Sequence, residues 1–267
     1  MRERGEGEGC LADLSWPALP PSPTVLVPLG STEQHGPHLP LHTDTAVAAA
    51  VARAAAARLL AAAPDDPVLV APAVAYGASG EHQDFPGTMS IGTAALRFLL
   101  VELVRSLSRW AGRVVIVNGH GGNLGALTAA TSLLRGEGHD VCWAPCAAGP
   151  ADAHAGHTET SLMLHLAPGL VDMARAKPGN LAPLAEIMPD LAAGGVAAVS
   201  PSGVLGDPTT ATAGEGGRLL DRMAGDVAAR IRHGRADHTG RLLPAPAPPS
   251  GAAAAAPTPA PATASPT

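Results

Sequence analysis

Apolar and polar positions fall along the chain in blocks whose lengths separate strands from helices. Short runs of Val, Leu and Ile at Thr24–Leu29, Val68–Ala71, Arg113–Val117 and Asp140–Ala144 are bounded by Gly, Pro or charged residues and read as strands. Longer stretches lie between them. Thr43 is placed to cap a helix running from Asp44 through Ala63. In Thr93–Ala111, Leu96, Leu99, Leu100, Leu103 and Leu107 recur at helical spacing. Further helices are predicted from the Asn118–Asn123 loop to about Arg135, over Thr158–Leu166 and over Ala213–His233. Strands that are continuous apolar runs, each followed by a helix, belong to parallel sheets covered on both faces. The expected fold class is α/β: a three-layer α/β/α domain with a mainly parallel central sheet. Ligands of such sheets bind beyond the carboxyl ends of the strands.

Composition sets the limits of the folded unit. A chain of 267 residues suits one large domain better than two. Residues 1–10 read as a charged, flexible leader, 11–243 as the folded domain, and 244–267 as a disordered Pro/Ala/Thr-rich tail with too little apolar surface to offset chain entropy. With only two Phe, one Tyr and three Trp, the core must be built from Ala, Val and Leu. The net charge of −6 argues against a nucleic-acid partner, which would require a basic face. Three cysteines, Cys10, Cys142 and Cys146, offer no disulfide framework, and the last two lack zinc-knuckle spacing. They read as inert thiols in a reducing compartment. The opening MRERGEGEG lacks an apolar signal region. Ala46–Ala63, interrupted by Arg53 and Arg58, reads as too polar for a bilayer. A cytoplasmic protein with no membrane partner is expected.

The candidate chemistry lies where the strands end. The first strand runs into Gly30-Ser-Thr-Glu33-Gln-His35-Gly-Pro-His38, and the third into Asn118-Gly-His120-Gly-Gly-Asn123. In a parallel sheet both loops fall on one edge. Glu33 and His35, two apart, point to the same side of an extended segment, and Asp44 follows at the mouth of a helix. A third cluster is Asp152-Ala-His154-Ala-Gly-His157-Thr-Glu159. Imidazole and carboxylate together suit zinc, manganese or iron. A carboxylate such as Asp44 can bridge two ions, and such a pair activates water and polarises a carbonyl. His42, His139, His165, His233 and His238 lack such company. The segment Gly119–Gly122 lacks the G-x-G-x-x-G arrangement of a dinucleotide site.

These motifs, with Phe85-Pro-Gly-Thr88, resemble in order and spacing the signature of the creatininase family of metal-dependent amidohydrolases, over roughly residues 11–235. The resemblance implies a dinuclear hydrolase of C–N amide or peptide bonds with two divalent metal ions (Zn²⁺, Fe²⁺ or Mn²⁺) as cofactors. It places Glu33, Asp44 and His120 on one metal and His35, Asp44 and Glu159 on the other. His154 takes the position of the family's non-ligand active-site histidine, a group for proton transfer to the leaving amine. Creatininase itself has a glutamate where this chain has Gly122, which points away from creatinine and toward Glu159 as the replacement ligand. Glu81 and His82 are candidates to line the pocket, His38 to support the first two ligands, and Gly121 and Gly122 to let a ligand approach the backbone. Homo-oligomers are usual in the family.

Three further stretches, Pro145–His157, Gly179–Glu186 and Gly195–Thr212, resemble one peptidase branch of the family. The last two read as a loop and a substrate- or subunit-facing segment. The substrate implied is a small ribosomal precursor peptide whose C-terminal Val-Tyr a radical enzyme has modified, cleaved at the amide before that pair. The alternatives are an amidohydrolase for cyclic or formyl amides in the same fold, and a catalytically silent metal-binding scaffold subunit.

Overall fold

The computed structural model describes residues 9–147, 149 and 152–246. The predicted leader and tail therefore lie outside the described residues, apart from 9–10 and 244–246. Strands β1 (Thr24–Leu29), β2 (Val68–Val70), β3 (Arg113–Asn118) and β4 (Val141–Pro145) form one sheet in the order β2-β1-β3-β4. Every pairing within it is parallel, with Leu26 opposite both Val70 and Val115, and Leu29 opposite Asn118. The helices are α1 (Thr43–Ala62), α2 (Gly92–Leu107), α3 (Leu124–Gly136), α4 (His157–Leu166), α5 (Leu184–Val199) and α6 (Ala213–His233).

Alternation along the strands divides the core into two layers. Leu26, Val68, Val70, Val115 and Val117 turn toward α1, α4 and α6. Val25, Val27, Leu29, Val114 and Ile116 turn toward α2 and α3. The architecture is the expected three-layer α/β/α. Leu26, fully buried in a central strand, supports one of these layers alone. Leu26→Ala is expected to cost about 2–5 kcal/mol, a large part of the roughly 5–15 kcal/mol that holds a domain folded. The check is a lowered denaturation midpoint with an unchanged denaturant slope.

The strand order has a consequence for function. From β1 the chain crosses to β2 on one side, and β3 then enters on the other side of β1. The gap beyond the carboxyl ends of β1 and β3 is thus the topological switch point, where helices on the two faces diverge and leave a crevice.

Four local expectations need correction. Thr43 does not cap α1: its hydroxyl donates back to the Pro40 carbonyl at 2.7 Å, His42 takes the cap position, and Thr43 is the first helical residue. Helix α2 stops at Leu107, where residues 108–110 tighten into a turn instead of continuing to Ala111. Helix α5 was not expected: it runs from the end of the stretch read as a loop, Gly179–Glu186, into the start of Gly195–Thr212. Pro189 and a left-handed Gly195 (φ 69°) break its pattern, and only Ile187 and Val196 are buried, so it carries no continuous apolar stripe. Finally, α1 is long and apolar enough to cross a membrane by length and composition, at a mean hydropathy of 1.5, despite Arg53 and Arg58. In the fold, ten of its residues are buried against the sheet and its neighbouring helices.

Candidate metal centre

The loop after β1 is held down by small residues and one amide. A side chain at Gly30 would begin 2.5 Å from the Thr45 backbone, so only glycine lets the start of α1 lie this close. Asn123 ties three segments together: its amide donates to the Gly30 carbonyl (3.0 Å) and its oxygen accepts from the Ala78 N–H (2.9 Å). Glu33 and His35 enter the crevice from this loop, Asp44 from the first turn of α1, and His120 from the loop after β3. Glu159 enters from the first turn of α4, where its Oε2 accepts the Ala155 N–H at 2.6 Å. His154 stands just before that helix.

These side chains meet in the interior. Glu33 and His35 are fully buried, and Asp44, His120 and His154 nearly so. His35 Nε2 lies 3.1 Å from Asp44 Oδ1 and 3.9 Å from Glu159 Oε2. His120 Nε2 lies 3.2 Å from Glu33 Oε2, and its Nδ1 lies 3.2 Å from Asp44 Oδ2. His154 Nδ1 is 3.8 Å from Glu33 Oε1, and its ring centroid is 4.3 Å from that of His35. Among the described residues, three groups bring their ligand atoms within 4.8 Å of one another: Glu33/His35/Asp44, His35/His154/Glu159 and Glu33/His82/His154. His120 stands against these groups by turning a different nitrogen to each of two carboxylates.

The residues fit divalent cations on two observations. First, both oxygens of Glu33 and Oδ2 of Asp44 are buried without a well-aligned hydrogen-bond donor, although imidazole nitrogens lie 3.2–3.3 Å away. A buried carboxylate oxygen without a donor is costly unless a cation satisfies it. Second, His35 Nδ1 donates to the Glu33 main-chain carbonyl at 3.1 Å. When the ring gives up its second proton, the lone pair is left on Nε2, the atom that faces Asp44 and Glu159. A backbone carbonyl fixing the far nitrogen is the usual support of a metal-ligating imidazole.

Charge balance points the same way. Burial pushes the Glu33 carboxyl up, to about 7, and the neighbouring Asp44 charge adds to the rise. Burial likewise lifts Glu159 to about 7, with His35 opposing and Asp44 assisting. Burial opposes a charge on His35, but the Asp44 carboxylate outweighs it and raises the ring to about 10. His120 is raised to about 9: burial opposes its charge, and Asp44 again prevails. Asp44 itself is held well below the carboxylate range, because His35 and His120 outweigh its burial. His82, lowered to about 3, and His154, also strongly lowered, stay neutral through burial beside other imidazoles. Without a cation the cluster thus retains protons at neutral pH, the positive charge its carboxylates require.

The remaining flagged residues separate clearly. His38 is buried and bonds Thr160 Oγ1 at 2.9 Å, joining the first loop to α4. His157 turns away to Thr210 Oγ1 at 3.0 Å. His139 pairs with Glu137 at 3.6 Å, just before β4 and so at the amino end of the strands, opposite the edge that carries the cluster. His82 lies fully in the cluster, 3.3 Å from Glu33 Oε1, and Glu81 lies 3.5 Å from His120 Nε2. The sequence marked them only as candidates to line the pocket, because the turn that carries them, Gly80–His82, follows no strand directly. The Gly80-Glu-His82 triplet beside Phe85-Pro-Gly87 was the available signal. Gly122 makes room for Glu81: a Cβ there would lie 2.4 Å from Glu81 Oε1 and 2.3 Å from the Ala78 carbonyl. A cavity of about 210 Å³ opens on the cluster, lined by Asp44, His120, Cys146, Asp152, His154 and Glu159 among others. All three cysteines are free, and burial pushes the Cys142 thiol up to about 12.

The creatininase family model, described as creatinine amidohydrolase, matches residues 12–231. A mycofactocin precursor peptide peptidase of Mycolicibacterium smegmatis is 60% identical over 220 residues, covering 82% of this chain and 89% of its own. The creatinine amidohydrolase of Pseudomonas putida is 30% identical, covering 78% and 88%. Among solved structures, a Bacteroides fragilis protein described as a creatinine amidohydrolase superposes with a TM-score of 0.74 at 26% identity, covering 87% of this chain and 99% of its own. A Zn–Zn form of a mutant creatininase (TM-score 0.65, 27% identity, 84% and 97% covered) and a manganese form of creatininase (0.67, 28%, 84% and 98%) share the fold.

Proposed function

The chain belongs to the creatininase family, and from that premise we propose that it is a metal-dependent peptidase acting on the mycofactocin precursor peptide. The bond cleaved is the amide before the modified C-terminal Val-Tyr, and the product is the Val-Tyr-derived intermediate of mycofactocin biosynthesis. One observation carries the hydrolytic reading: buried carboxylates without well-aligned donors converge with correctly presented imidazoles at the switch point of the sheet. The substrate rests on the 60% identity to peptidases of that name.

In this reading Glu33, Asp44 and His120 would hold one divalent cation and His35, Asp44 and Glu159 the other. Zinc, manganese and iron all suit such a donor set. When bound, the cations supply an activated water and polarise the scissile carbonyl. The chain's own groups do the rest. The buried walls exclude bulk water and strengthen each electrostatic contact. Gly121 and Gly122 leave the backbone of the β3 loop open to a peptide main chain. His154, neutral and with a bare Nδ1 turned into the cluster, takes up a proton there from the attacking water and passes it to the departing amine nitrogen. The hydrolase unit spans 11–243. Cytoplasmic residence and the absence of nucleic-acid or membrane partners belong to the same proposal, supported by the acidic balance and the free cysteines, and homo-oligomeric assembly is proposed from family membership alone.

The test is incubation of the metal-loaded protein with the radical-modified precursor peptide, read by mass spectrometry beside a chelated control. Chelator-sensitive release of the modified Val-Tyr fragment is the expected result. An intact peptide would remove the substrate assignment and turn the search to cyclic and formyl amides. In the same assay His154→Gln is expected to lower kcat by roughly 10²–10⁴-fold while metal content stays at the wild-type level. Loss of metal together with activity would make His154 a ligand instead.

A further inference from the structure

Gln34 sits between Glu33 and His35 and is almost fully buried, yet nothing above gives it a task. Its Oε1 accepts the Gly36 N–H at 2.8 Å. That contact fixes which end of the amide is which, so Nε2 can only donate, and it has two hydrogens. Three atoms compete for them: His82 Nδ1 at 2.8 Å, His154 Nε2 at 3.1 Å and the Gly203 carbonyl at 3.2 Å.

The competition resolves through the Gln34 main chain. His154 Nε2 lies 2.8 Å from the Gln34 backbone carbonyl, which can only accept. His154 therefore carries its hydrogen on Nε2 and needs nothing from the amide. The two amide hydrogens go to the Gly203 carbonyl and to His82 Nδ1. A neutral imidazole that accepts at Nδ1 is protonated at Nε2. In His82 that protonated atom is the one 3.3 Å from Glu33 Oε1. In His154 the bare atom, Nδ1, is the one facing Glu33 at 3.8 Å. Gly203 holds the amide in place: its φ is +78°, and a Cβ there would lie 1.9 Å from Gln34 Oε1.

We propose that Gln34 is a positioning residue that sets the proton on Nε2 of His82, so that this imidazole cannot ligate a cation beside Glu33, while the bare Nδ1 of His154 stays turned to the cluster. Of the three converging groups, Glu33/His82/His154 is thereby removed as a cation seat, and the carboxylates around His35 and His120 remain. The catalytic consequence rests on the hydrolase reading above, but the proton positions do not.

The experiment is a long-range ¹H–¹⁵N correlation of histidine-labelled, zinc-loaded full-length protein at neutral pH, in which protonated, bare and zinc-bound ring nitrogens resonate apart. His82→Asn and His154→Asn assign the signals. The expected wild-type pattern is a proton on Nε2 and a bare Nδ1 in His82, and a proton on Nε2 in His154. In Gln34→Glu the side chain offers only acceptors, so His82 is expected to gain a proton at Nδ1, whereas His154, bonded to the main chain, keeps its own on Nε2. Gln34→Leu, which removes both amide functions, is expected to leave His82 as a mixture of the two tautomers. A wild-type His82 with Nδ1 protonated or Nε2 zinc-bound overturns the proposal, as does an unchanged His82 pattern in both variants. Peptide cleavage is read separately, so failure of the substrate assignment leaves this result standing.

Discussion

Asp44→Asn is expected to empty the centre of its cations and abolish hydrolysis. Asp44 presents Oδ1 to His35 and Oδ2 to His120, which join the two halves of the cluster through one carboxylate. The amide keeps the shape but removes the charge, and it places an NH₂ group against one of two imidazole nitrogens. Whichever way it turns, one cation position loses its bridging oxygen and the other loses anionic partnership. The loss is expected to exceed the roughly 10–100-fold that removal of an outer partner costs a metal site. Metal content by elemental analysis and turnover by mass spectrometry should fall together. The fold should survive, because Asp44 opens a helix whose Val47, Val51, Ala55 and Leu59 remain packed in the core. An Asp44→Asn protein with normal metal content and turnover would refute the bridging assignment.

Removal of the cations should abolish activity in the wild type as well, and their return should depend steeply on pH. The empty cluster holds protons on Glu33 and Glu159, raised to about 7, and on His120 and His35, raised to about 9 and 10. A cation binds the deprotonated forms, so each binding event releases protons. The sign follows directly: lowering pH refills these groups and weakens binding, and raising it strengthens binding. The apparent affinity should change by roughly tenfold per pH unit for each proton displaced. Calorimetric titration of the chelated protein with Zn²⁺ or Mn²⁺ in two buffers of different ionisation heat measures that proton release. A pH-independent affinity between pH 6 and 8 would show that the ligands named here are not the ones used.

Much of this protein was legible from local pattern. The runs Thr24–Leu29, Arg113–Val117 and Asp140–Ala144 are apolar on both faces, and only a covered parallel sheet accommodates such runs, so strands and layers follow from the chain itself. Parallel strands put all their carboxyl ends on one edge, so the loops carrying Glu33, His35 and His120 had to meet once β1 and β3 were neighbours. Elements whose pattern is interrupted were not legible. Helix α5 is broken by Pro189 and Gly195 and is buried at only two of its positions, and the Thr43 hydroxyl donates to the Pro40 carbonyl instead of accepting from a helical N–H.

What the sequence determined by itself was the set of chemical groups and the edge to which they belong, because both follow from residue type and from the period of the backbone. What the tertiary structure alone decided was which nitrogen of each imidazole faces which oxygen. The Gly80–His82 turn joins the cluster through contacts across 48 residues, from Gln34 to His82, and His154 through contacts across 120. No local period encodes such contacts. They are set by the packing of the Gly203 and Gln34 segments, and proton positions in a buried site follow from packing because each donor there must find an acceptor at hydrogen-bond distance.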